Sequence, residues 1–447
     1  MILFRKHFSM ETKLKVAVVG AGAAGLCALR HLTSPEHVAS SHRFEVTCFE
    51  QSSRIGGTWI YTERTGSDQN GLPIHSSMYK NLRTNLPVQC MAFPDFPFKS
   101  GHPSFVKHEV VQEYLEDYAS HFDLFKHIKF QTLVKWIQPV NMQRELKKLQ
   151  WEVTTCDVVN KIEHQPELFD AILICNGHYA DPLIPDIPGI ETFSGQVYHS
   201  HDYRVPETFS DKVVIILGAG SSGQDISLEL APYSKWVYLS HKKTLLASKL
   251  PENLTQKPGI EKILSSSVHF NDGSLVAADV LLFCTGYNYN YSFLAPQCEV
   301  QVVDGRVTGL FKHLFCTKFP TLAVIGVCKV IVPFPMFDVQ IRLFRSVLEG
   351  TCVLPSKDSM DEDTENDYRK RLEEGMPHRY AHTMSSLQFN YNDDLADMAK
   401  INRLPFHYSQ LYHMCHQLRQ QHLTSYKNCN FDINEAGDAV LISSKNI

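Results

Sequence analysis

The chain has 447 residues, 43% of them hydrophobic and 20% charged, with a formal net charge of −5. At roughly 100–200 residues per domain, this length predicts two or three domains with large cores, and the composition excludes disordered and fibrous proteins. The slightly acidic balance supplies no basic field, which argues against nucleic acid as a partner.

At the start of the chain, the apolar run breaks at Arg5 and Lys6, too early for a secretory leader. The first predicted strand is Leu14–Val19. It runs into Gly20-Ala21-Gly22-Ala23-Ala24-Gly25 and then an amphipathic helix through Leu32. Strand, glycine turn and helix form the context that a dinucleotide fingerprint requires. Gly20 makes the tight turn, Gly22 lets the backbone approach a pyrophosphate, and Gly25 lets helix meet strand. The helix N-terminus then faces the phosphates. The next strand, Phe44–Glu50, ends in an acid suited to a ribose diol; residues 34–43 place it later than the usual ~20-residue spacing.

Further along, Phe169–Cys175 reads as an acid and an apolar strand, followed by the turn Asn176-Gly177-His178-Tyr179. The proline-rich stretch Ala180–Gly189 reads as a linker. The first grammar then returns. Val213–Leu217 leads into Gly218-Ala219-Gly220-Ser221-Ser222-Gly223, a helix through Leu230 and the strand Trp236–Ser240. With 23 glycines in the chain, one such match arises by chance roughly 0.06 times, so a single turn is weak and two in context are strong. Ser222, Gly223, Gln224 and Asp225 open the second helix, where hydroxyl and amides can meet phosphate; Asp225 can equally serve only the helix dipole.

The second site's strand ends differently, in Ser240-His241-Lys242-Lys243, with no acid and two cations. That end suits a 2′-phosphate and so NADPH over NADH; the alternative is a solvated strand end. Ala278–Phe283 with Cys284-Thr285-Gly286-Tyr287 repeats the crossing pattern, and Phe319–Gly326 is a further buried strand ending in glycine. Residues 356–400 read as charged surface helices without an assignable function. No stretch approaches the roughly 18 apolar residues of a membrane span, and Val440–Ile447 is too short for a tail anchor. The twelve cysteines hold no C-x-x-C pair, which argues against a zinc ribbon or a redox-active cysteine pair and fits a reducing compartment. The pair His199 and His201 is weak evidence for a metal site, and no metal is expected. The expected fold is α/β, with two Rossmann-like dinucleotide-binding domains and the second inserted into the first: 1–185, then 186–300, then 301–447.

These residues resemble the flavin-containing monooxygenases of the class B flavoprotein group. Phe193, Gly195, His199 and Tyr203 match the family pattern F-x-G-x-x-x-H-x-x-x-[F/Y] at every fixed position. Gly56-Gly57-Thr58-Trp59 follows Glu50 as in the family, His75–Pro87 resembles the segment whose Asn lies near the flavin, and Cys284–Tyr287 matches a late C/A-T-G-Y motif. The likeness runs from about residue 14 to about 355. In its look the chain is similar to soluble members, such as the plant glucosinolate S-oxygenase branch and the insect alkaloid N-oxygenases.

The resemblance implies FAD at the first turn and NADPH at the inserted one. It implies a C4a-hydroperoxyflavin that oxygenates a soft nucleophile, a thioether or a tertiary amine, with O2 as co-substrate, in the manner of an N,N-dimethylaniline monooxygenase. It places Gly57, Thr58, Trp59, Thr84, Asn85 and Leu86 near the flavin, and Thr285 and Gly286 near the cofactors. Asn85 is the expected catalytic residue, because an amide donates and accepts without titrating; the other reading is a turn-forming Asn before Leu86-Pro87. Trp59 reads either as a flavin neighbour or as plain core. His199 and Tyr203 are expected to support NADPH binding rather than catalysis.

The rivals are a Baeyer–Villiger enzyme, an NADPH oxidase releasing H2O2, a disulfide reductase, and a flavoprotein without turnover. The family's Baeyer–Villiger counterpart carries Trp where this chain has Tyr203, and a disulfide reductase needs the cysteine pair that is missing. The expected protein is soluble and cytoplasmic, without a transmembrane anchor. Peripheral contact with the endoplasmic reticulum and a homodimer stay open.

Overall fold

The computed structural model describes residues 13–34, 44–140, 149–242 and 244–444. Strand β1 (Leu14–Val19) is apolar on both faces because both are covered. Val16 and Val18 point into one core, Ala17 and Val19 into another. Helix α1 (Ala23–Thr33) follows directly, and β2 (Phe44–Phe49) returns parallel to β1 with Val18 opposite Cys48. Helix α2 (His108–His121) joins the first core through Val111, Tyr114, Leu115 and Tyr118, and β3 (Ile128–Lys129) extends the sheet beyond β2. The antiparallel pair Thr132–Val140 and Gln150–Asp157 covers the opposite face, with Trp151 fully buried in the second core. Strand β4 (Ala171–Ile174) then lies parallel to β1 on its other side.

The chain now leaves this sheet and builds another. Strands β5 (Gln196–His199) and β6 (Val213–Leu217), helix α3 (Ser221–Leu230), and strands β7 (Trp236–Ser240), β8 (Leu254–Lys257) and β9 (Val280–Phe283) form a parallel sheet of order β8-β7-β6-β9-β5. Its own core gathers Val214, Ile216, Ile226, Leu230, Val237 and Leu239. Residues beyond Tyr289 already belong elsewhere: Tyr289, Tyr291, Leu294, Ala295, Cys298 and Val300 pack into the core behind β1. The inserted unit therefore ends nearer 288 than the 300 read from sequence, because this aromatic segment buries its apolar surface against Ile137 and Val307.

The return is completed by β10 (Leu310–Phe311), β11 (Phe315–Cys316) and β12 (Leu322–Val324). Strand β12 sits parallel beside β4, giving the order β10-β11-β12-β4-β1-β2-β3. Helix α4 (Pro333–Leu348) lies along α1, where His31 Nε2 meets the buried Asp338 carboxylate at 2.6 Å. Fully burying one leucine of this seam, such as Leu29, is worth about 1.5–3 kcal/mol.

Helix α5 (Lys357–Glu373) buries little beyond Met360 and Arg371, as its charge predicts. Helix α6 (Leu387–Ala399) instead buries Tyr391, Leu395 and Ala396 against α4, so 356–400 is not surface throughout. Helix α7 (His407–Gln421) and a hairpin of β13 (Cys429–Ile433) with β14 (Ala439–Ser444) complete the fold. Among the described residues no helix is long and apolar enough to cross a membrane. All twelve cysteines are free thiols.

Candidate cofactor clefts

Both glycine turns sit at the carboxyl end of a central parallel strand, where an open sheet leaves a crevice for ligand. In the first, Gly20 has φ +98°, in the left-handed region, and its amide donates to Phe49 O at 2.8 Å. A Cβ on Gly25 would stand 1.8 Å from Gly20 O, so only glycine lets the helix approach this closely. Gly22 caps α1 with no side-chain hydrogen bond, leaving the amides of Ala23, Ala24 and Gly25 without an intrahelical acceptor. Glu50, 7% exposed, accepts from the amides of Ala21 at 2.7 Å and Ser52 at 2.8 Å. A carboxylate has about four lone-pair sites, so acceptor capacity remains for a ribose diol.

The strip Gly57–Trp59 closes over this turn. Gly57 (φ +57°) is so near that a Cβ on it would lie 3.1 Å from Gly22 Cα. Thr58 Oγ1 is buried and has no hydrogen-bond partner among the described residues, so it can bond a polar ligand atom. Trp59 meets Phe334 edge to face at 6.5 Å and packs on the first core, which favours the core reading. Turn, uncapped helix, acid and orphaned hydroxyl together fit a dinucleotide.

The second turn repeats the backbone. Gly218 has φ +110°, a Cβ on Gly223 would lie 1.7 Å from Gly218 O, and Gly220 caps α3 without a side-chain bond. A Cβ on Gly220 would meet nothing within 4 Å, so this turn is roomy where the first is covered. Ser221 is exposed and Ser222 half-buried at the helix start. These features also fit a phosphate-bearing ligand.

Several sequence expectations are revised by the side chains. Ser240 is fully buried and its hydroxyl donates to Pro258 O at 2.6 Å, so it is spent on the fold rather than presented to a 2′-phosphate. Lys242 is exposed and without an ion pair among the described residues; Lys243 lies outside them. Asp225 turns from the phosphate end to Lys427 Nζ, 2.5 Å away, and receives Tyr79 OH at 3.4 Å. Thr84 Oγ1 accepts from Val106 N, Thr285 Oγ1 donates to Leu183 O, and Leu86 packs with the C-terminal core. Gly286 (φ +87°) accepts from His199 Nε2 at 3.0 Å, while His199 Nδ1 accepts from the His201 amide. Burial pushes His199 down to about 4, so the ring is neutral and ties the end of β5 to the second crossing at Gly286.

Segment 76–85 joins the two turns. Ser76 Oγ donates to Thr58 O, and Asn81 Nδ2 to Glu229 Oε1 on α3. Asn85 follows, half-buried, its side-chain amide uncommitted among the described residues and its carbonyl accepting from Cys415 Sγ at 3.5 Å. Arg204, 7% exposed, fixes the segment's far side by donating to the carbonyls of Thr62, Arg64, Ser76, His201 and Tyr203.

Some polar groups escaped sequence reasoning. Lys329, after β12, donates to Tyr287 O at 3.3 Å over the Tyr289 ring, and burial pushes its ammonium down to about 8. Beside it, burial and the Lys329 charge push His178 down to about 3. Arg419 on α7 reaches the start of α3. Nothing local in the sequence marks any of the three. Cys27, His31 and Asp338 lie close enough to hold a metal, but Asp338 is already paired with His31 and Arg342.

Two parallel sheets, each with an uncapped helix behind a Gly-x-Gly-x-x-Gly turn and joined by the Asn85 segment, define a protein built to hold two dinucleotides. A family model described as flavin-binding monooxygenase-like matches residues 13–249 and 241–407, and the chain belongs to this family. Its cofactors are FAD and NADPH. The chain is 37% identical over 435 residues to flavin-containing monooxygenase FMO GS-OX-like 2 of Arabidopsis thaliana, covering 91% of this chain and 90% of that one. It is similar to the solved S-allyl-L-cysteine S-oxygenase from Allium sativum, with TM-score 0.84, 35% identity and coverage of 93% and 95%. It is also similar to Tmm from a Pelagibacter strain, with TM-score 0.83, 28% identity and 97% of each chain covered.

Proposed function

We propose that the protein uses NADPH and O2 to insert one oxygen atom into a soft sulfur or nitrogen atom of a small molecule. Substrate, O2, NADPH and a proton give the sulfoxide or N-oxide, water and NADP+. The carrying observation is the pair of matched glycine turns, different in their surroundings and joined through one segment that ends in an uncommitted amide at Asn85. The plant S-oxygenase likeness makes a thioether the first substrate to test.

The first turn, with Glu50, Gly57 and Thr58, would hold FAD; the second, with Gly220, Ser221 and Ser222, would hold NADPH, and the exposed Lys242 would supply a cation for the 2′-phosphate. When bound, the flavin supplies O2 activation and NADPH the two electrons. The protein's own work is position and dryness. The α1 amides hold a pyrophosphate, Glu50 orients a ribose, and Asn85 offers a donor and an acceptor that no pH change removes. The neutral His199 keeps the crossing at Gly286 closed without adding charge. The free thiols and the absent basic field are consistent with a cytoplasmic enzyme acting on small molecules.

The test is an assay of the yellow holoprotein with NADPH, air and either a dialkyl thioether or a cyclic ketone. Stoichiometric sulfoxide is expected. A lactone from the ketone would instead establish the Baeyer–Villiger reading, and H2O2 equal to NADPH consumed would establish an oxidase. Asn85→Ala should retain flavin and lose product by roughly 100-fold or more.

A further inference from the structure

The C-terminal helix α7 carries two side chains that reach the nucleotide machinery from 195 to 330 residues away in sequence. Arg419 Nε donates to Gln224 Oε1 at 2.9 Å, and its Nη1 donates to Ser221 Oγ at 3.2 Å. Both partners lie in the first turns of α3, at the end with no side-chain cap. One helical turn earlier, Cys415 Sγ donates to Asn85 O. A single helix thus touches the start of α3 and the Asn85 segment.

Electrostatics makes the placement informative. A helix N-terminus carries roughly half a positive charge, so a guanidinium set against it is repelled unless an anion lies between them. No carboxylate pairs with Arg419 among the described residues. Asp225, one turn into α3, is held by Lys427, whose ammonium is pulled down by burial, raised by Asp225, and lowered further by Arg419 and Arg83. Three cations, Arg83, Arg419 and Lys427, therefore crowd the acids of α3, of which Glu229 is pushed toward its neutral form by burial. Arg419 spends two of its five N–H donors on Ser221 and Gln224, and the remaining three are uncommitted. A Cβ on Gly220, the residue before Ser221, would meet nothing within 4 Å, so the backbone at this turn is uncovered.

We propose that Arg419 is the side-chain cation of the NADPH pyrophosphate site, so that α7 completes the second dinucleotide turn. This rests on the reading of that turn as the NADPH site. Arg419 is a binding residue for the diphosphate, common to NADP+ and NAD+, whereas Lys242 at the end of β7 reads the 2′-phosphate. Because Cys415 sits on the same helix, filling the diphosphate site also steadies the Asn85 carbonyl.

The experiment measures equilibrium binding of NADP+ and NAD+ to the FAD-loaded full chain by calorimetry, for wild type, Arg419→Gln and Arg419→Lys. Flavin content and Tm are recorded for each. Loss of a charge-assisted hydrogen bond at this half-buried site should weaken both ligands by roughly 10-fold in Arg419→Gln, with partial recovery in Arg419→Lys and flavin content unchanged. Unchanged affinity in Arg419→Gln overturns the proposal, as does weakening of NADP+ alone, which would assign Arg419 to the 2′-phosphate. A lowered Tm with intact affinity makes Arg419 purely structural and also overturns it. Failure of wild type to bind NADP+ at all would instead sink the NADPH assignment of the second turn, a result distinguishable from the others.

Discussion

The two glycine turns are nearly identical in backbone and unlike in how they are finished. The first is closed by neighbours close in sequence: Glu50 takes the Ala21 and Ser52 amides, and Gly57 lies against Gly22. The second is open at Gly220, loses Ser240 to the core, and receives its cation from α7. A turn that holds a resident cofactor can be sealed by its own unit. One that must admit and release a nucleotide is better finished by a separate element.

The largest effects that sharpen this contrast come from the third glycines. Gly25→Ala places a Cβ 1.8 Å from a backbone oxygen and should yield protein without flavin, read from the 450 nm to 280 nm absorbance ratio. Gly223→Ala creates the same clash at 1.7 Å, yet should retain flavin and lose NADP+ binding. If Gly223→Ala lost its flavin too, the two sites would not be separable. Next, Lys242→Ala should lower the NADPH to NADH preference by roughly 10-fold in kcat/KM while leaving flavin content unchanged. An unaltered ratio would return Lys242 to the solvated strand end.

Gly220→Ala probes openness itself. With φ −77° and nothing within 4 Å, the apo fold should tolerate the methyl, so Tm stays within about 1 °C and only the NADP+ Kd rises. The smallest effect concerns the crossings. His178 and His199 are held neutral down to about 3 and about 4, whereas an unfolded histidine titrates near 6.5. The unfolded chain therefore binds more protons between those values, and stability falls as pH drops from about 6.5 toward 4. Tm should be flat above pH 7 and decline below it. Substituting His199 by Gln should flatten part of that slope, and an unchanged slope would show that His199 does not titrate this way.

The legible part of the fold was the part written in local rules. Glycines needing positive φ, β-branched runs buried on both faces and the acid after β2 each act within a few residues, so their pattern survives in one dimension. Thr58 and Asn85 were singled out through the family's motifs, and Lys242 through the basic end of its strand. Ser240 was misjudged because a hydroxyl's direction depends on Pro258, brought near by the return of the chain. The pairing of Asp225 with Lys427 could not be read, because the two are about two hundred residues apart.

The sequence by itself determined two dinucleotide turns, their order and the α/β class, since periodicity and backbone strain are short-range. Only the tertiary structure decided which polar groups remain free for ligand. Burial and charge pairing join residues that the chain keeps far apart, and so placed Arg419 at α3, Lys427 on Asp225 and residues 289–300 in the second core, behind β1.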